Sequence, residues 1–236
     1  MHSSVDWFKG VEMENNNTYL GLFLDAPLQS WGYASRFDQR TSLSFPTRSG
    51  IIGMICAAMG IERGDVGSLH RFEKIGMKSY TFLQNGRLVD FHTVGGGFDP
   101  KTGRWQMVRK ANEATPTTVV TRREYLVHTR FGVILTGLNT FLEKISAALQ
   151  NPKWGIWLGR KSCIPASPVF VGLFADEASA LDRLKEVAQG NEVMGIVSEA
   201  DTFKEGVDTI MDVPIDFASR RFAHRRVSMD IPQKKI

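Results

Sequence analysis

Five short segments of this chain carry the side chains that binding or cleaving a phosphodiester would need. In residues 45–50 (FPTRSG), Thr47 or Ser49 can cap the helix that follows Pro46, and the free amides of that helix start lie beside Arg48, Ser49 and Gly50. Unsatisfied N–H groups, the helix dipole and an adjacent guanidinium suit a phosphate, although a plain capped helix has the same sequence. In the stretch from residue 95 to 123, rich in glycine, threonine and basic residues, Lys101, Arg104, Arg109 and Lys110 surround Trp105. That pattern suits single-stranded nucleic acid, where cations follow the backbone and a ring stacks on a base. Residues 122–128 (RREYLVH) place Arg122, Arg123 and Tyr125 on an expected strand, and residues 157–168 (WLGRKSCIPASP) place Arg160, Lys161 and Ser162 in a turn. The tail at 220–227 (RRFAHRRV) holds Arg221, Arg225 and Arg226 with a fourth arginine and His224. A strand tyrosine also reads as half-buried core, and a basic tail as a solvated one.

Catalytic templates fit poorly. The sequence has no Gly-x-Ser-x-Gly elbow, no His-Glu-x-x-His and no run of clustered carboxylates for two metals. GGGFDPKTG has neither the ending of a phosphate-binding loop nor the spacing of a dinucleotide turn, so no cofactor and no metal are expected. His92 and His128 fall on expected strands. Either one, with Tyr125 and Arg123, could serve a metal-independent endoribonuclease, which needs only a base, an acid and a cation. Cys56 and Cys163 are the two cysteines, and their surroundings suit neither a disulfide framework nor a paired-cysteine zinc site.

Composition is that of an ordinary globular chain, with 42% hydrophobic and 23% charged residues among 236. The longest apolar run, residues 51–59, is too short to span a bilayer, and residues 1–18 show no signal-peptide pattern, so a cytoplasmic protein with no membrane partner is expected. Net charge is only +4, but its distribution is uneven. Residues 176–216 hold eleven acids and three bases, leaving 26 bases against 14 acids elsewhere. A surplus of that size supplies what a phosphate-binding surface needs, since each contacted phosphate releases counterions. The acidic stretch alone would suit a protein-interaction domain.

These residues need elements to position them. Residues 1–17 read as a flexible leader, and a first strand begins at Tyr19 and ends at Asp25-Ala26-Pro27. The helix after Pro46 runs to a stop at Gly60, with Gly50, Gly53 and Ala57 as a small-residue stripe for close approach to a sheet. Residues 78–83 and 88–94 flank Asn85-Gly86, which reads as a β-hairpin turn. Beyond the long loop come a strand at 125–135 and a helix at 139–149 stopped by Pro152, then a strand at 169–174 and a helix at 176–188. The last two either close the first sheet or open a second unit. The order suits an α+β, ferredoxin-like (RRM-like) sheet with a projecting loop, spanning residues 18–175, and a small C-terminal region at 176–236.

The ordered set DAPLQSWG (25–32), FPTRSGIIGMICAAMGI (45–61), DFHTVGGG (90–97), REYL (123–126), WLGRKSCIPASP and RRFAHRRVSMD (220–230) resembles the CasD family of type I-E Cascade complexes, within the repeat-associated mysterious protein superfamily. The resemblance covers residues 19–231 in order. It implies a ferredoxin-like domain whose thumb, at about 95–122, presses on RNA, and a non-catalytic role capping the 5′ handle of crRNA in antiviral defence. Partners implied are the Cascade backbone subunit and the large PAM-reading subunit, with target DNA met only through the guide. By position, Arg48, Ser49 and Gly50 would hold handle phosphate, with Arg123, Tyr125, Arg160, Lys161 and the C-terminal arginines as further candidates. The related type I-C subunit is an endoribonuclease using Tyr, Lys and His; no adjacent Lys-His pair stands at the comparable place here.

Overall fold

The computed structural model describes residues 17–33, 35, 38–95, 98–105, 118–206 and 208–230. Their elements run β1 (Asn17–Gln29), β2 (Gln39–Arg40), α1 (Arg48–Met59), α2 (Val66–His70), β3 (Gly76–Val94), β4 (Phe98–Asp99), β5 (Arg104–Trp105), β6 (Val119–Leu138), α3 (Asn139–Gln150), β7 (Phe170–Phe174), α4 (Glu177–Val187), β8 (Gly195–Glu199), β9 (Asp208–Asp216) and β10 (Arg221–Asp230). One large sheet has the order β7-β1-β6-β3-β8-β10-β9, antiparallel throughout, with β2 joining β6 in parallel. The C-terminal strands therefore extend the first sheet through β8, which pairs with β3.

Strand alternation sorts the core into two layers. Leu20, Leu22 and Leu24 of β1 and Phe131, Val133 and Leu135 of β6 face α1 and α3 on one side, meeting Ile51, Ile55, Leu142 and Ile145. Phe23, Tyr80, Phe82 and Ile134 face the other side, where Ala180 and Leu184 of α4 cover them. Helix α4 is tied down by Glu177, which accepts hydrogen bonds from Lys78 Nζ (2.5 Å) and Tyr80 Oη (2.6 Å).

The first strand does not stop at Asp25-Ala26-Pro27 but continues to Gln29. Asp25 pairs across the ladder with Arg130 at 3.2 Å, which neutralises the acid inside the strand. Phe23 N–H donates to Val169 O and Asp25 O accepts from Ala166 N–H on the edge away from β6. Pro27, two residues on, shares that edge, so its missing N–H costs the β6 ladder nothing. The strand then ends on a buried amide: Gln29 Nε2 donates to Leu24 O (3.0 Å) and Thr129 O (2.7 Å), while its Oε1 accepts from Trp31 Nε1 (3.2 Å).

Asn85-Gly86 is likewise not a turn. Residues 76–94 form one 19-residue strand, within which Gln84 and Gly86 pair with Thr129 and Val127 of β6. A local turn would offer only a few pairs, whereas the 20-residue β6 supplies partners along the whole length, so the non-local ladder overrides the turn preference. The outer halves of β3 and β6 make a long two-stranded arm, and β6 begins at Val119 rather than 125. Beyond the arm, β4 and β5 pair as a small hairpin.

Two outcomes are expected. Gln29→Leu leaves Trp31 Nε1 without its acceptor, removes a donor from Leu24 O and Thr129 O, and should cost about 1–3 kcal/mol in chemical denaturation. The Glu177 carboxyl sits below the usual glutamate range: burial pushes it up, but the bonds from Lys78 and Tyr80 outweigh burial. A folded-state value below the unfolded 4.5 means that its stabilisation is present above that pH and is lost as pH falls through the folded value. Glu177→Gln should therefore flatten the acid limb of a stability-against-pH curve below about 4.5 and leave the curve's shape near neutrality unchanged.

Candidate functional site

Helix α1 begins where three other segments meet. Thr47 is its cap, accepting from Gly50 N–H through Oγ1 at 3.2 Å. The first helical N–H, that of Arg48, donates to Asp212 Oδ2 of β9 at 2.7 Å. Asp212 is buried and is held in a bidentate grip by Arg225 of β10, through Nε (2.7 Å) and Nη2 (3.0 Å). Arg48, 4% exposed, turns its guanidinium inward to Glu199 of β8 (2.6 Å) and Phe72 O (2.8 Å), and Arg225 Nη1 lies 3.6 Å from the same Glu199 oxygen. Two arginines and two carboxylates thus close a cluster joining α1 to β8, β9 and β10.

This placement gives Arg48 and Arg225, both expected to meet phosphate, partners within the protein. Their guanidinium groups are engaged by internal carboxylates, because the C-terminal strands curl back over the helix start. What remains at the surface there is Ser49 and Gly50. The small-residue stripe is also reassigned. A Cβ on Gly50 would strike the Trp31 ring, and Gly53 lies against Phe217, so the stripe faces Trp31 and the β9–β10 turn, not the sheet.

Ser49 and Gly50 form the waist of a groove made of two joined cavities of about 510 and 590 Å³. The turn at Gly159 stands on one side and Phe217, Arg220 and Phe222 from the β9–β10 turn on the other. Gly159 has φ 103, and a Cβ there would run into Ser30 O, so this close turn requires glycine. Arg160 leaves that turn to donate to Glu124 O and Arg40 O, both at 2.8 Å, with its guanidinium carbon 4.6 Å from the Tyr125 ring centroid. Tyr125 is buried, and its hydroxyl lies 3.4 Å from Ser162 Oγ. Lys161 is exposed. Arg40, Arg63, Arg160, Lys161 and Arg220 all line the groove, and among the described lining residues there is no carboxylate.

Other expected residues fall elsewhere. Arg122 is exposed on the arm with its guanidinium carbon 5.0 Å from the Phe91 ring centroid, and Arg123 donates to Thr121 Oγ1. Arg221 is exposed and donates to Ser219 Oγ, and Arg226 stacks over Phe203 at 5.1 Å. Trp105 has its backbone paired with Phe98 in the small hairpin, and Arg109 and Lys110 lie outside the described residues. Arg40 and Arg63 are not singled out by the sequence, and Arg220 enters there only as one arginine of the 220–227 tail. Arg220 carries a positive φ of 55, which aims it from the turn, and no local pattern announces that.

The histidines do not converge. His92 pairs with Thr121 on β6, seven residues from His128, which is about 23 Å along a strand. Tyr125 is engaged with Arg160 and Ser162. Among the described residues no helix is long and apolar enough to cross a membrane, and no cluster of His, Cys, Asp or Glu could hold a metal ion.

Chemically, the arrangement is a groove on an antiparallel α/β scaffold with cations and aromatic rings on its walls. A family model described as CRISPR-associated protein (Cas_Cas5) matches residues 19–228, and the chain belongs to that family. The CRISPR system Cascade subunit CasD of Escherichia coli (strain K12) is 29% identical over 235 residues, covering 92% of this chain and 99% of that protein. A solved structure described as a CRISPR RNA-guided surveillance complex matches with a TM-score of 0.73 at 29% identity, over 90% of this chain and 89% of that one. A second, described as a crystal structure of Cas protein, matches with 0.64 at 27% identity, over 90% and 94%. The resemblance read from the order of motifs is borne out.

Arg48→Met leaves Asp212 and Glu199 with a single cation between them. With Phe72 O also losing its donor, it should cost about 1–3 kcal/mol in equilibrium unfolding, whereas Arg220→Ala, on an exposed turn, should stay within about 0.5 kcal/mol of the parent.

Proposed function

We propose that this chain is a non-catalytic RNA-binding subunit of a type I-E CRISPR Cascade complex in the cytoplasm, capping the 5′ handle of crRNA and bridging the backbone subunit and the large PAM-reading subunit. The observation that carries the reading is the groove. Five cations and no described carboxylate line a channel whose waist is the start of α1, and aromatic rings stand along both halves. A chain of phosphates with bases to stack is the ligand such walls fit. Family membership and the CasD likeness support the same assignment. Sequence would be read by the guide, not by this protein.

We read β1, α1, β3, β6, α3 and β7 as a ferredoxin-like unit, since their chain order and the strand order β7-β1-β6-β3 follow the split βαβ pattern. The thumb expected at about 95–122 would be carried at the end of the β3–β6 arm, whose exposed Phe91, Val89 and Val120 suit contact with RNA or a neighbouring subunit. The engagement of Tyr125 with Arg160 and Ser162 supports a binding role over the endoribonuclease reading.

The test is handle-RNA affinity against salt for Lys161→Ala with Arg220→Ala. Both residues are exposed, so the fold should be unaffected. The slope of log affinity against log salt should flatten by about 0.7 for each phosphate that the protein no longer neutralises on single-stranded RNA. An unchanged slope would remove the groove from the reading. Single-site cleavage of repeat RNA in EDTA, abolished by His92→Ala or His128→Ala, would establish the enzyme instead.

A further inference from the structure

The two halves of the groove differ in chemistry. Both halves share Ser49, Phe217, Arg220 and Phe222, and the half toward Arg40 and Arg160 adds Ser30, Thr47, Tyr33 and Met211 but no tryptophan. The half beyond the waist adds Trp154, Trp157, Met54 and Ile61, with Arg63 and Lys161 as further cations. From this division, and resting on the RNA-binding reading above, we infer that the second half is a stacking subsite that takes one nucleobase turned out of its strand while the adjoining phosphates lie in the first half.

Three features make this a built site. Trp154 is 42% exposed although its backbone is fixed: Lys153 N–H and Trp154 N–H donate to Ala58 O and Ala57 O at the end of α1. A large aromatic ring held half in water by rigid backbone is an anchor for a ligand from outside. Trp157 packs against Gly155, where a Cβ would meet its six-membered ring. Each ring also carries a lysine over it, Lys153 Nζ at 5.8 Å from the Trp154 centroid and Lys161 Nζ at 5.8 Å from that of Trp157. Rings flanked by cations match a base that brings its own phosphate, because stacking and charge are satisfied together. A protein side chain would not need the cations.

Equilibrium binding of a synthetic single-stranded RNA of handle sequence by the full chain tests this, with Trp154→Ala, Trp157→Ala and Trp157→Phe measured across a salt series. The alanine variants should bind roughly 5-fold to 100-fold more weakly with the salt slope unchanged, since a stacked base releases no counterions, and Trp157→Phe should recover most of the affinity. In the same complexes, 2-aminopurine placed one position at a time should report a single unstacked nucleotide whose emission changes on replacement of Trp154. Wild-type binding with alanine variants of equal affinity overturns the subsite and leaves the RNA-binding function standing. Absence of any binding by the wild-type chain overturns both. Loss of subunit co-purification with RNA affinity intact assigns the slot to a protein neighbour and likewise overturns the proposal.

Discussion

The cluster of Arg48, Arg225, Asp212 and Glu199 is the constraint on which the rest of the architecture depends. Arg48, Arg225 and Asp212 are removed from water, which is costly unless each finds a partner, and Asp212 together with the exposed Glu199 supplies the partners that tie α1 to β8, β9 and β10. Asp212 completes that arrangement by accepting the first N–H of α1, supplying the negative charge that a helix start favours. The C-terminal strands are thereby locked across the mouth of the helix. Without that lock the β9–β10 turn would have no fixed relation to Ser49 and Gly50.

The groove follows from this lock and from one glycine. Gly159 brings its turn against the end of β1 closely enough that Ser30 N–H donates to Leu158 O, and Arg160 then reaches back to carbonyls of Arg40 and Glu124. The floor is the capped helix, the near wall is the glycine turn, and the far wall is the β9–β10 turn. All three are held by buried contacts, so the exposed cations stand on fixed backbone. A preorganised wall of that kind spares a ligand the cost of ordering loops.

Much of the fold was legible in the sequence because it is written in local periodicity. The caps at Thr47 and Asp176 and the stop of α3 near Pro152 obey short-range chemistry, and the structure holds them. Errors came where distant partners decide. Asn85-Gly86 is a strong local turn signal overridden by the long partner strand β6, and Pro27 stays in its strand because its missing N–H faces the far edge. The direction of the Gly50–Gly53 stripe likewise depends on Trp31 and Phe217, neither of which is near in sequence.

The sequence by itself determined the family, through the order of its motifs, and it determined that arginines crowd the helix start and the C-terminal tail. It could not say which of them face inward. Arg48 and Arg225 carry the same charge as Arg160 and Arg220, and composition cannot tell a guanidinium that will be paired with a buried carboxylate from one that will face a groove. That choice rests on Asp212 and Glu199, brought to α1 from more than 150 residues away by the folding of β8 and β9 onto the same sheet. Only the tertiary structure could divide the cations into those that hold the molecule together and those left for a ligand.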